Sequence, residues 1–140
     1  MVNDTTLLLD LDGVSVIRVE RLEDGTRRVH LATTEEAARA CPECGAFAWK
    51  VKGTARTRPR DLPYGERGLV LLWHKRRWWC REPSCPRKSF TESVAQIPAG
   101  ARITARLRHA AGRRVRDAGS SKLSGAEVST GSAGGDAACA

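Results

Sequence analysis

A small, mainly β fold held together by a metal staple is what three features of this sequence predict. Two segments of period-two alternation lie near the N-terminus. Four cysteines follow in the pattern C-x2-C, thirty-five residues, C-x4-C, and behind them comes an arginine-rich stretch with helical spacing. A hydrophobic content of 41% allows a packed core in a chain of 140 residues. Aromatic residues make up only 5%, and Trp49, Trp73, Trp78 and Trp79 supply four of the seven, each close to a cysteine in sequence. That distribution fits a modest core gathered around a cross-link better than a large core that is stable by itself.

Residues 14–20, "VSVIRVE", alternate apolar and polar with one slip at Ile17, as a half-buried strand does. "RLEDGT" carries the turn pair Asp24-Gly25, and "RRVHLAT", residues 27–33, alternates again. Together they predict a β-hairpin. Residues 34–40 read as a short helical turn or an irregular lead-in to Cys41. Residues 46–53 read as a strand, 56–68 as a loop marked by proline and glycine, and 69–80 as the longest strand. Residues 81–90 form a second turn, stiffened by Pro83 and Pro86. From Thr104 to about Asp117, Leu107, Ala110, Ala111 and Val115 recur near helical spacing among arginines. Beyond Gly119 the chain is Ser-, Gly- and Ala-rich, with too little to bury to offset its ordering entropy, so a disordered tail is expected. The expected organisation is an N-terminal hairpin region over 1–40 packed on a ribbon over 41–95, a basic helix over 101–118 and a tail over 119–140.

The cysteines carry the chemistry. A two-residue gap around a tight turn, entered by Pro42 and left by Gly45, aims two thiolates at one point, and a second such turn supplies two more. Cys41, Cys44, Cys80 and Cys85 would then surround one Zn²⁺ tetrahedrally and close its coordination sphere, which makes the ion structural and leaves no catalytic position. A thioredoxin-like redox pair would open a helix, whereas "CPECG" leads into a strand-like run. An iron–sulfur cluster is the remaining thiolate alternative, and the paired turns favour zinc. A disulfide is disfavoured by the expected cytoplasmic location, since "MVNDTTLLLD" has acidic residues where a secretory signal is basic. No stretch approaches transmembrane length. Cys139 is read as a free thiol in the tail. His30, His74 and His109 have no spacing for a metal or a general base, and are read as structural or surface residues.

Charge is concentrated in the middle of the chain. The total is +8, yet residues 50–116 hold eighteen Lys/Arg against four Asp/Glu, while the segments on either side are net acidic. Such a concentration favours a polyanion, and nucleic acid is the common one. Alternation along 69–80 places Trp78, His74, Leu72 and Val70 on the face of Cys80, with Arg76 as a polar exception. It turns Lys75, Arg77 and Trp79 the other way, to a basic face suited to phosphate and stacking contacts. For Trp79 the competing expectation is packing beneath the N-terminal hairpin. A tetrathiolate zinc site carries about −2, so Lys50, Arg81, Arg87 and Lys88 beside the ligands have two candidate roles, offsetting that charge or meeting DNA.

The order "TTEEAARACPECG", "RTRPRDLPYGERGLVL", "KRRWWCREPSCPRKSFTES" resembles the N-terminal region of bacterial insertion-sequence transposases of the ISL-three type, over about residues 5–117. The resemblance implies a zinc ribbon with its ligands at the four cysteines, followed by a helix-turn-helix region and a ribonuclease H-like catalytic domain acting on transposon ends. This chain has no room for that domain, so a truncated or frameshifted, non-enzymatic copy is expected. The expected DNA contacts are Arg56, Arg58, Arg60, Lys75, Arg77, Trp79 and Arg87, with Arg106, Arg108, Arg113 and Arg114 on the helix. Alternative expectations are a protein-interaction module that joins and inhibits a full-length transposase, and an RNA-associated zinc ribbon.

Overall fold

The computed structural model describes residues 3–123, with side chains described through residue 116. Five strands form a single sheet in the order β1-β2-β4-β3, and β5 also pairs with β4. The strands are β1 (Val14–Arg21), β2 (Arg27–Thr33), β3 (Val51–Thr57), β4 (Leu69–Trp79) and β5 (Ser89–Thr91). The hairpin β1–β2 is antiparallel, and its register shifts between Val16 and Arg18. The slip at Ile17 in the alternation is therefore a β-bulge, which leaves Ile17 outside the core. Gly25, at φ +88°, closes the turn, and the Thr26 N–H donates to the Asp24 carboxylate at 2.8 Å.

The hairpin does not sit on top of the ribbon as a separate layer. β2 pairs in parallel with β4, from Arg27↔Leu69 to Ala32↔His74, so the two regions share one sheet. A parallel neighbour cannot be reached by a tight turn, and the chain from 34 to 68 makes the crossover. It contains a 3-10 turn at Glu36–Arg39, the first cysteine pair and β3. The expected strand over 46–53 is displaced to Val51–Thr57. Residues 46–48 instead close the first cysteine turn, where the Cys41 N–H donates to Ala46 O at 2.9 Å and the Ala48 N–H to Arg39 O at 2.9 Å.

Two helices flank the sheet, α1 (Asp4–Leu9) and α2 (Ala105–Leu123). The first was not expected from the sequence. Its signal is local, an Asn3 side chain that accepts from the Thr6 N–H at 2.8 Å, with Asp4 in the first turn. The second runs past Gly119, into the segment expected to be tail, while residues 124–140, including Cys139, lie outside the described residues. Thr104 starts α2, its Oγ1 accepting from the Leu107 N–H at 3.2 Å and donating to Asp61 at 2.7 Å.

Burial divides into two clusters. Leu9, Leu11, Val14, Val16, Val29, Leu31, Leu71, Trp73, Val94 and Ile97 form the larger one, on one face of the sheet. The smaller gathers Cys41, Ala48, Trp78, Cys85 and Phe90, with Cys80 against it. Glu92 spans the back of the smaller cluster. Its side chain is 1% exposed and accepts from the Arg76 N–H at 2.9 Å, Arg76 Nε at 3.0 Å and Trp78 Nε1 at 3.0 Å.

Candidate metal centre and nucleic-acid interface

Two turns place the four thiols. In the first, the Gly45 N–H donates to Cys41 O at 2.8 Å and the Glu43 N–H points at Cys41 Sγ at 3.4 Å. The second repeats the device, with the Arg87 N–H on Cys85 Sγ at 3.4 Å and the Cys80 N–H on Lys88 O at 2.8 Å. Gly45 curls under its turn at φ +79°, and Lys88 does so at φ +63° without being glycine. Sequence spacing pointed to the turns, but nothing local marks Lys88 for a left-handed conformation.

All four Sγ atoms lie within 4.8 Å of one another, with Cys41–Cys85 at 3.9 Å and Cys44–Cys80 at 3.6 Å. A tetrahedron with Zn–S bonds of about 2.3 Å has edges of about 3.8 Å, so the set has the size of a closed tetrathiolate site. The separations exclude disulfides. Ionisation of the thiols points the same way. Burial raises Cys41, but the N–H groups of Cys44 and Glu43 and the neighbouring thiols bring it down to about 7. At Cys80 the Glu82 N–H favours the thiolate, yet desolvation and the other three thiols push the group up to about 12. The protein alone thus favours the thiolate at Cys41 and resists it at Cys80 and Cys85, and a divalent cation supplies the charge that a set of four thiolates requires. These residues suit one structural zinc ion.

Trp78 packs under the site, 4% exposed and flanked by two guanidinium groups, Arg39 at 5.1 Å and Arg76 at 4.9 Å from its ring centroid. Arg39 also donates to Ala48 O from Nε at 3.2 Å and Nη2 at 2.8 Å. It ties the first turn to Trp78 on β4 from a position that sequence reasoning passed over, because Ala48 and Trp78 lie nine and more residues away. Trp79 does not pack beneath the hairpin. It is 40% exposed, with Lys52 Nζ 4.7 Å from its ring centroid. β2 pairs with β4 only as far as His74, so the hairpin does not reach the strand's end.

The basic residues separate into three groups. Arg58, Arg60 and Lys75 line a groove of about 580 Å³ with Arg102, walled by Pro59, Pro98 and Ile103. Backbone bonds from the Arg60 N–H to Arg102 O at 2.9 Å and from the Thr104 N–H to Arg60 O at 2.8 Å hold its two sides together. Lys75 lies with Nζ 4.7 Å from the Trp73 ring centroid, and its desolvation lowers its pKa, opposed by Glu92. Arg102 was not anticipated, since only the pairing of 60 with 103 brings it here. Arg77, Arg87, Arg108, Arg113 and Arg114 are exposed outside the groove.

Arg56 is exposed on the opposite face, its position paired with His74. There His30 Nδ1 is 2.9 Å from His74 Nε2, and His30 Nε2 is 2.7 Å from Glu20. Arg106 belongs to the third group. Its Nε donates to Asp61 at 2.9 Å, Nη2 bonds the other Asp61 oxygen, and Nη1 donates to Asp10 O at 2.7 Å. With its guanidinium engaged inside the fold, Arg106 ties α2 to Asp61 and to the backbone at Asp10.

A mainly β fold closed by two cysteine turns around a tetrathiolate site is that of a zinc-ribbon protein. Residues 37–85 match the family described as the zinc-finger of transposase IS204/IS1001/IS1096/IS1165. The chain is also similar to a Bordetella parapertussis protein named "Transposase for insertion sequence element IS1001", at 37% identity over 100 residues, which cover 70% of this chain and 24% of that relative. Residues 37–85 therefore form a zinc finger of the kind found in these transposases, and the chain spans about a quarter of the length of the curated relative it matches. No solved structure matches it. Among the described residues, no helix is long and apolar enough to cross a membrane.

Proposed function

We propose that this chain is a cytoplasmic DNA-binding zinc-ribbon region of an insertion-sequence transposase, holding DNA by its phosphates and contributing no strand-transfer chemistry of its own. The observation that carries the reading is the groove. Arg58, Arg60, Arg102 and Lys75 line it, its sides are joined by backbone pairing, and no Asp or Glu is among the lining residues. Arg77 continues the basic face along β4, and Arg108, Arg113 and Arg114 extend it on α2. The matched relative's name, a transposase, supports DNA as the polyanion. Among the described residues the cluster of metal-ligating side chains is the set of four cysteines, and a closed thiolate site offers no position for water or substrate.

The test is fluorescence anisotropy of the zinc-loaded chain with a duplex carrying transposon-end sequence, between about 50 and 200 mM salt. The logarithm of affinity should fall linearly with that of salt, and Lys75→Ala, Arg58→Ala and Arg60→Ala should each reduce the slope by about 0.9. A flat salt response sinks the proposal. An equal effect of Arg106→Ala, with helix α2 intact, would overturn the separation of anchoring from phosphate-binding arginines. A preference for RNA over duplex DNA would select the RNA-associated reading. Co-purification with a full-length transposase without a DNA shift would select the protein-interaction reading.

A further inference from the structure

The zinc end of the sheet is aromatic as well as basic. Of the eight large hydrophobic side chains exposed among the described residues, four stand here: Phe47, Trp49, Val51 and Trp79. Trp49 is 69% exposed, on the segment that leaves the first cysteine turn. The Trp79 N–H donates to Lys50 O at 3.0 Å, so that segment and the end of β4 run side by side. Exposed aromatic groups gathered at one end of a small domain mark a binding surface.

Each tryptophan has its own cation. Arg81 lies 4.5 Å from the Trp49 ring centroid, and Lys52 lies 4.7 Å from that of Trp79. The bulge between Val51 and Gly53 gives Lys52 its extra position, and Lys52 Nζ is held by Ser89 Oγ at 3.1 Å. An apolar plug from a protein partner would have to strip water from these cations without replacing it. A nucleotide answers both groups at once, with a base face for the indole and a phosphate for the cation. In an intact duplex the base faces are occupied by their neighbours, so the fitting ligand is unpaired.

The track leading there has the same character. Lys75, Arg77 and Trp79 share one face of β4, about 6.6 Å apart in succession, and Lys75 lines the duplex groove. We propose that Trp49 and Trp79 are stacking sites for the unpaired bases of single-stranded DNA, with Arg81 and Lys52 meeting its phosphates. The strand reaches them along the basic face of β4 from the groove, and this inference rests on the DNA-binding reading above.

The test uses the zinc-loaded full chain, its tryptophan emission titrated with a single-stranded oligothymidine of about fifteen nucleotides and with a duplex of equal length. Trp73 and Trp78 are 1% and 4% exposed, so ligand-dependent quenching reports Trp49 and Trp79. The single strand is expected to quench the emission. Trp49→Ala and Trp79→Ala should each weaken its binding by about five- to hundredfold. In Trp49→Ala, duplex affinity and zinc content should stay unchanged, and Trp49→Phe should restore most of the single-strand affinity. Single-strand binding without quenching overturns the proposal, as does equal weakening of both DNA forms by the tryptophan variants. If Trp49→Ala abolishes binding to a protein partner while single-strand affinity stays intact, the patch is a protein-docking surface and the proposal is overturned. Quenching by the single strand with no duplex binding would refute the groove while leaving the stacking sites standing, whereas failure of both DNA forms refutes both.

Discussion

Glu92 offers the sharpest test of how the zinc end is held. Its carboxylate is withdrawn from water and receives three hydrogen bonds, from the Arg76 N–H, Arg76 Nε and Trp78 Nε1. Glu92→Ala removes both acceptor oxygens and so all three bonds. The Trp78 indole N–H, buried beside Cys41 and Cys85, then has no partner, at a cost of about 1–3 kcal/mol. The Arg76 guanidinium loses its acceptor too, with a smaller penalty because that side chain is half exposed and water can replace part of the bond. With the packing of the deleted methylenes included, the expected destabilisation is about 3–5 kcal/mol. Glu92→Gln keeps the shape, but its amide nitrogen cannot accept from Arg76 Nε or Trp78 Nε1, and about 1–3 kcal/mol is expected. Urea unfolding of the zinc-loaded protein, at a fixed free zinc concentration so that binding linkage is constant, measures both. A loss under about 0.5 kcal/mol for Glu92→Ala would refute the reasoning, since that is the range of an exposed surface substitution.

Three further outcomes are expected. Chelating zinc should expose the cluster of Trp78 and Phe90 while leaving the ten-residue cluster around Trp73, which contains no cysteine. Hydrogen exchange should then become fast over 41–49 and 80–90 but stay slow in β1 and β2, and uniform exchange would contradict the division. Gly13→Ala should destabilise by about 2–4 kcal/mol in denaturant unfolding, because an added Cβ would meet Val94 Cγ1 at 2.8 Å and the residue sits at φ +93°. Burial, and then His30, Arg56 and Arg18, hold the His74 pKa below the usual histidine range. The unfolded chain therefore takes up this proton first, below about pH 6.5. His74 thus contributes a loss of stability as pH falls from there toward its folded pKa. The His74→Gln difference in unfolding midpoint between pH 7.5 and 5.5 isolates that contribution, and an unchanged pH dependence in the variant would refute it.

Much of the fold was legible wherever the signal is local. Alternation over 14–20 and 27–33 with Asp24-Gly25 between them specified β1 and β2, and the slip at Ile17 falls where the register shifts. Cysteine spacing with Pro42 and Gly45 specified the metal turns. Legibility failed where a segment's hydrogen bonds go to a distant partner. Residues 46–50 have strand-like composition, but their backbone groups serve the cysteine turn and the end of β4, so the strand starts at Val51. The parallel pairing of β2 with β4 has no local signature either, since residues 34–68 intervene between its partners.

For function, the sequence by itself pointed to the four cysteines that cluster to suit a zinc ion and to the sign of the surface charge, because spacing and composition are properties of the chain. Only the tertiary structure decided which cations are free. Arg106 reads no differently from Arg58 and Arg77 in the sequence. Glu92 engages Arg76 across sixteen residues, and Asp61 engages Arg106 across forty-five, while no carboxylate lines the groove of Arg58, Arg60, Lys75 and Arg102. A guanidinium group's availability to phosphate depends on the nearest opposite charge in space, and folding sets that distance.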